Sequence, residues 1–182
     1  MGSKRTNLDG TIELMANILG IEYSDKVIKR IRYFAKEYRS AHASLNIIPG
    51  ITSSFSDEAA GMIEEMIFWE KFREKDLKNI ITHLLIKGNL ENMIEKSLEK
   101  VKNFGVEGPC YYKVLDFVYF GRMTFSNDDV MNKLCLSRTA FYDRIRRGLM
   151  LFGISVWGLV IESKDNPEEF MNMMEVKYGL DQ

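Results

Sequence analysis

Three side chains that could contact a nucleic acid recur at four-residue spacing in the C-terminal half of the chain. Arg138, Tyr142 and Arg146 would share one face of a helix, with Thr139 and Asp143 beside them. Guanidinium and hydroxyl groups on such a face can hydrogen-bond to base edges in the major groove of duplex DNA. The spacing therefore predicts a recognition helix.

Further polar residues flank this face. Ser137 immediately precedes the predicted helix, while Lys133, Arg144 and Arg147 fall at its sides, where cationic groups can meet phosphate oxygens. The four arginines between positions 138 and 147 outnumber the single acidic residue there, Asp143. An ordinary amphipathic helix with a solvated basic face is the alternative explanation of such a charge run.

Two capped helices must hold this face. Ser126, followed three residues later by Asp129, is typical of a capping box at a helix start. A turn at Cys135-Leu136-Ser137 would follow, with Leu136 pointing inward and Ser137 as the second N-cap. The second helix is predicted to run from Arg138 to about Gly153, with its core face formed by Phe141, Ile145, Leu149 and Phe152. This layout is that of a helix-turn-helix.

The stretch LCLSRTAFYDRIRRGLMLFGISVWG also resembles the C-terminal helix-turn-helix of ArpU-type regulators of late genes in phages of Gram-positive bacteria. That module is similar to region four of bacterial sigma factors. The family pattern has a small residue where Met131 stands and Gly where Cys135 stands. The resemblance implies transcription control. The matching positions are Leu134, Leu136, Ser137, Arg138, Tyr142, Arg144, Ile145, Trp157 and Gly158.

Apolar residues at helical spacing recur along the rest of the chain, separated by short polar breaks. A linker is predicted around Pro49-Gly50. Ile154 to Ile161 is rich in β-branched residues and could be a strand, but is interpreted as a last helical turn or an interface. The other predicted helices are residues 10–19, starting after Asp9; a long one capped by Ser24; one from Ser56 towards Phe72; 76–88; 90–105; and 111–120.

Composition excludes several classes of protein. The chain has 182 residues, 46% of them hydrophobic, with a net charge of −1, so a DNA-binding surface must arise from local segregation of charge. Two cysteines and two histidines lack metal-ligand spacing, and no phosphate-binding glycine loop is present. No apolar run has transmembrane length. We therefore expect a cytoplasmic protein that contacts no membrane, has no catalytic residues, binds no metal or cofactor, and is not an enzyme.

These patterns predict an all-α fold: a helical bundle over residues 10–103, a tri-helical helix-turn-helix unit over 111–158, and an acidic tail over 162–182. The bundle would serve homodimer formation or contact with RNA polymerase. The second unit would bind duplex DNA, as in a phage or prophage transcription regulator. Two alternatives are a helical adaptor or inhibitor that acts on a host protein through acidic surfaces, and a sigma-like factor.

Overall fold

Apolar residues at three- and four-residue spacing fold into helices along the chain. The computed structural model describes residues 3–45, 56–68, 74–88, 90–123 and 125–180. Within these ranges no residue forms a strand, and the predicted all-α fold is confirmed. The α-helices are α1 Ser3–Ile18, α2 Asp25–Leu45, α3 Asp57–Phe68, α4 Glu74–Ile86, α5 Glu91–Lys102, α6 Gly108–Leu115, α7 Asn127–Lys133, α8 Arg138–Glu162 and α9 Pro167–Tyr178.

Three helix starts differ from the prediction, and one of them is that of α6, which begins at Gly108 rather than Tyr111, with Pro109 in its first turn. Helix α1 begins at Ser3 rather than Gly10, so the glycine lies inside the helix, where it costs only about 1 kcal/mol relative to Ala. Helix α4 begins at Glu74 rather than Asp76. The predicted linker at Pro49-Gly50 and the extension of the third helix to Phe72 lie outside the described residues.

The predicted end of the recognition helix at Gly153 is wrong, because α8 continues without a break to Glu162. Gly153 serves close packing instead: a Cβ built there would lie 2.3 Å from Cδ1 of Ile31 on α2. The β-branched run from Ile154 to Ile161 is therefore helical, as the preferred interpretation had it. Tertiary burial overrides its strand propensity.

Helix α8 is the centre of the fold. From Gly148 to Trp157 every residue except the half-buried Ser155 is buried, as expected of a helical segment that is apolar on all sides. It packs against α1, α2, α3, α5, α6 and α9. Trp157 is fully buried and donates its indole N–H to the carbonyl of Leu19 at 3.1 Å. Buried residues of the predicted bundle and of the helix-turn-helix unit form one continuous hydrophobic cluster, to which α8 contributes throughout.

Helix α6 ends in an unusual way. It runs directly into a π-helical segment, Asp116–Phe120, whose closing hydrogen bond runs from Gly121 N–H to the Asp116 carbonyl at 2.6 Å. Such segments are rare in proteins overall, and those that do occur often lie at functional sites. Helix α6 and this π segment together occupy the position at which the sequence predicts the first helix of the tri-helical unit, with Leu115, Val118 and Tyr119 on its packed face. Leu115 and Tyr119 are buried, whereas Val118 is only half-buried.

The acidic C-terminal stretch forms a packed helix. Asn166 caps α9 by accepting from Glu169 N–H at 3.3 Å, and Pro167 occupies the first turn. Met174 is buried, while Tyr178 donates to Glu64 of α3 at 2.6 Å. The helix is thereby attached to both α8 and α3.

Candidate nucleic-acid interface

The first helix of the predicted helix-turn-helix is fixed by a reciprocal capping box. Ser126 Oγ accepts from Asp129 N–H at 3.1 Å, and Asp129 Oδ2 accepts from Ser126 N–H at 3.2 Å and from its hydroxyl at 2.6 Å. These bonds from Ser126 hold the pKa of Asp129 below its usual value. Val130 is fully buried and anchors α7. The predicted capping box is confirmed.

The turn between α7 and α8 is tight. Leu136 N–H donates to the Met131 carbonyl at 2.9 Å, and Leu136 packs against the core. Cys135 adopts a left-handed backbone conformation with φ of 51°. This is the position at which the ArpU-type pattern has Gly, the residue that adopts positive φ without steric cost.

Helix α8 starts where the sequence predicts. Ser137 Oγ accepts from Ala140 N–H at 3.3 Å, so Ser137 is the N-cap. The predicted core face is buried, with Phe141, Leu149 and Phe152 fully enclosed. The N-cap and the buried face together fix the rotation of α8 about its axis. The side chains on the opposite face of its first turns therefore point towards solvent.

Five of the predicted DNA-contacting residues face solvent at the start of α8 and the end of α7. Tyr142 is 45% exposed. Within the described ranges, Arg138 forms no hydrogen bond or ion pair, while the ammonium of Lys133 lies 4.7 Å from the ring centre of Phe125. These five exposed residues are called the outer face from here on: Lys133, Ser137, Arg138, Thr139 and Tyr142.

Arg146 and Arg147 are engaged with the N-terminal part of the chain. Arg147 donates through two nitrogens to Asp9 of α1 at 2.7 and 2.8 Å, and its side chain is only 11% exposed. Arg146 donates to Tyr23 at 2.8 Å and to Asp25 at 3.2 Å, and its guanidinium lies 4.9 Å from the Tyr23 ring centre. Its side chain remains 38% exposed. Both cations therefore attach α8 to α1 and to the start of α2.

Contacts and burial in this polar cluster change the pKa values of Asp9, Arg147 and Tyr23. Hydrogen bonds from Arg147 hold the pKa of Asp9 below its usual value, against the opposing effect of burial. The bond to Asp9 raises the pKa of Arg147, which stays charged. Burial raises the pKa of Tyr23 and of Tyr111, so both phenols stay protonated.

Arg144 is held on another side of α8. Its guanidinium donates to Glu107 at 3.3 Å and to the sulfur of Cys110 at 3.0 Å. Asp143 is partly buried and is also engaged in an interaction. The structure thus gathers five of the nine predicted residues on the outer face, and places Asp143, Arg144, Arg146 and Arg147 in or beside contacts within the molecule.

The sequence did not reveal the acidic partners of these arginines. Asp9 and Asp25 precede their partners by 138 and 121 residues, and only the packing of α1 and α2 on α8 brings them together. The sequence pattern places Asp9 just before the first predicted helix instead. Arg138 is the arginine of the outer face. Its position in the first turn of α8 is the sequence feature that separates it from the paired arginines further along the helix.

In the part of the chain that the structure describes, no group of three His, Cys, Asp or Glu residues could hold a metal ion. No described helix is both long enough and apolar enough to cross a membrane. Comparisons with protein-family models, curated proteins and solved structures return no match to this chain. The functional assignment therefore depends on its residues and their geometry.

Proposed function

We propose that this protein is a sequence-specific duplex-DNA-binding transcription regulator. The observation that carries the proposal is the outer face: Arg138, Thr139 and Tyr142 are exposed in the first two turns of a capped helix that follows a short capped helix and a tight turn. Such a helix fits the major groove with its first turns against base edges.

Each exposed residue has a distinct role in this proposal. Arg138 can donate two hydrogen bonds to one guanine, Thr139 can contact a base or a thymine methyl group, and Tyr142 can contact the adjacent base or backbone. Lys133, at the end of α7, is placed for a phosphate. Arg146 is half-exposed, and its contact with DNA would require it to leave Asp25.

Arg144 and Arg147 have a different role from the phosphate contacts that their sequence positions suggest. Both hold α8 against the rest of the molecule through Glu107 and Asp9. Fewer cations then remain for the DNA backbone, which limits the affinity of one chain because phosphate neutralisation supplies much of it. A homodimer or RNA polymerase as a second contact fits this limit. The resemblance to ArpU-type regulators adds phage late genes as the proposed targets.

The test has two stages. Duplexes that bind the full-length protein are selected from a random pool, and binding is then measured by fluorescence anisotropy at two salt concentrations. The variant is Arg138→Ala with Thr139→Ala. The control is Lys78→Ala with Thr82→Ala, which removes the same charge and hydroxyl from α4.

We expect wild-type binding that weakens with salt and prefers the selected duplex over a scrambled one. The outer-face variant should lose about 1–3 kcal/mol of that preference, since one good base contact contributes this much. The control should keep it. Absence of any preferred duplex, or equal loss in both variants, would overturn the proposal and favour the protein-interaction adaptor.

A further inference from the structure

A cavity of about 470 Å³ lies away from the outer face, between α2, α5 and the π segment. None of the proposed DNA-contacting residues lines it. Four carboxylates line it together with one lysine and one arginine, Lys102 and Arg122. The cavity therefore favours a cationic occupant. The carboxylates are Glu91, Glu95, Glu99 and Asp116.

Glu91 is the residue that points most directly to a ligand. It is only 6% exposed, and its Oε1 lies 3.2 Å from Nε2 of His42. Its other oxygen, Oε2, is buried and has no hydrogen-bond partner among the described residues. A buried carboxylate oxygen without a donor costs free energy, whereas an N–H from a bound cation would satisfy it. The missing partner is therefore a hydrogen-bond donor.

The aromatic lining suits a cation that carries methylene groups. The Tyr38 ring centre lies 5.7 Å from that of Phe120. The ammonium of Lys102 lies 5.5 Å from the centre of the Tyr112 ring, so the wall of this cavity accommodates an ammonium group over an aromatic face. Ile94 and Leu98 add apolar surface.

The carboxylates of α5 form a row rather than a cluster. Glu91, Glu95 and Glu99 recur every four residues, so they follow one face of the helix at intervals of about 6 Å along its axis. Ammonium groups joined by three or four methylenes have a comparable spacing. Across the cavity, Asp116 belongs to the π segment, and burial raises the pKa of its carboxyl group. A bound cation would offset that cost of burial.

We propose that this cavity binds a linear polyamine, with one primary ammonium group donating to the Glu91 carboxylate after a rotation that turns Oε2 from the interior into the cavity, and with the following ammonium groups meeting Glu95 and Glu99. The methylene segments would lie against Tyr38, Phe120 and Leu98. This inference is independent of DNA binding. It assigns a small-molecule site to the face of the molecule formed by α2, α5 and the π segment.

The experiment is calorimetric titration of the full-length protein with spermidine at fixed ionic strength, which separates a specific site from general charge screening. n-Butylamine supplies a single ammonium group, and tetramethylammonium supplies a cation without an N–H donor. The variants are Glu91→Gln and Glu95→Gln. Glu95 is exposed, so its variant tests the site even where Glu91→Gln disturbs folding. Glu13→Gln, on exposed α1 surface, is the charge-matched control.

We expect saturable binding of spermidine, weakened about tenfold or more by either cavity variant and unchanged by Glu13→Gln. n-Butylamine should bind at least tenfold more weakly, and tetramethylammonium should show no saturation over the same range. No saturable binding of spermidine, equal weakening by Glu13→Gln, or equal binding of the three cations would overturn the proposal.

Discussion

At the scale of single residues, the bidentate pair between Arg147 and Asp9 stabilises the fold. Replacing Arg147 with Ala leaves a partly buried carboxylate without its cation, and also removes a contact between α8 and α1. We expect the free energy of unfolding to fall by about 1–3 kcal/mol, the range for charge-assisted hydrogen bonds with some remaining solvent access. Urea denaturation followed by circular dichroism measures it.

Arg138→Ala is the matched control on the same helix. Because Arg138 is exposed, its replacement should change stability by no more than about 0.5 kcal/mol. Equal losses in the two variants would contradict the structural role given to Arg147.

The Asp9 carboxylate gives this pair a defined pH dependence. Its pKa is lowered in the folded protein from the ordinary value of 3.8, so its contribution to stability is present above that value and disappears as the pH falls through the folded pKa. The stability advantage of the wild type over Asp9→Asn should therefore be constant between pH 7 and about pH 5 and should shrink below it. An advantage that persists unchanged at lower pH would contradict the pairing.

At the scale of elements, the turn between α7 and α8 carries a strained residue. Cys135 has φ of 51°, a conformation that costs an ordinary L-residue about 1–2 kcal/mol. Cys135→Gly should relieve part of this cost and stabilise the protein by up to about 1 kcal/mol, despite the greater freedom of glycine in the unfolded chain. Thermal unfolding monitored by circular dichroism measures the change.

Cys135→Ala separates backbone strain from loss of the thiol, because Ala keeps the Cβ. It should be no more stable than the wild type. A gain in the Ala variant equal to that in the Gly variant would place the effect in the side chain rather than in the turn.

Two glycines of α8 give opposite predictions. A methyl group at Gly153 would meet Ile31 at 2.3 Å, whereas one at Gly158 would meet nothing within 4 Å. Gly158→Ala should gain up to about 1 kcal/mol from helix propensity. Gly153→Ala should be about 1–3 kcal/mol less stable than Gly158→Ala, because the added atom overpacks a full core. Chemical denaturation of both variants measures the difference.

A second substitution, at Ile31, should recover part of the stability that Gly153→Ala loses. Ile31→Val removes the Cδ1 atom that the new methyl group would meet, so the double variant with Gly153→Ala should lose less than the sum of the two single changes. Strict additivity would show that the contact between α8 and α2 is looser than described.

Local chemistry explains how much of these elements could be predicted. The capping box at Ser126, the N-cap at Ser137 and the buried stripe headed by Phe141 depend on neighbouring residues, and all are confirmed. The end of α8 was misplaced because Gly153 can terminate a helix or admit a close neighbour, and only the position of Ile31 decides between the two. The inward pairing of Arg147 was likewise set by tertiary packing.

At the scale of the whole molecule, the arginines of α8 have two different roles: some pair with acidic residues of the same chain, and one faces solvent. The net charge is −1, so no general attraction carries the protein to DNA. On α8, Arg144, Arg146 and Arg147 pair with acidic residues of other segments, whereas Arg138 is left on the outer face. The proposed recognition therefore depends more on base contacts and on a second bound unit than on a strongly basic surface.

The most direct measurement for the central claim is dimethyl sulfate protection on the selected duplex. This reagent methylates guanine N7 in the major groove and adenine N3 in the minor groove, so it reports which groove the protein occupies. We predict protection of guanine N7 over a short run of base pairs, and its loss when Arg138 and Tyr142 are both replaced by Ala. Unprotected guanine N7 on a bound duplex, or protection confined to adenine N3, would contradict the account.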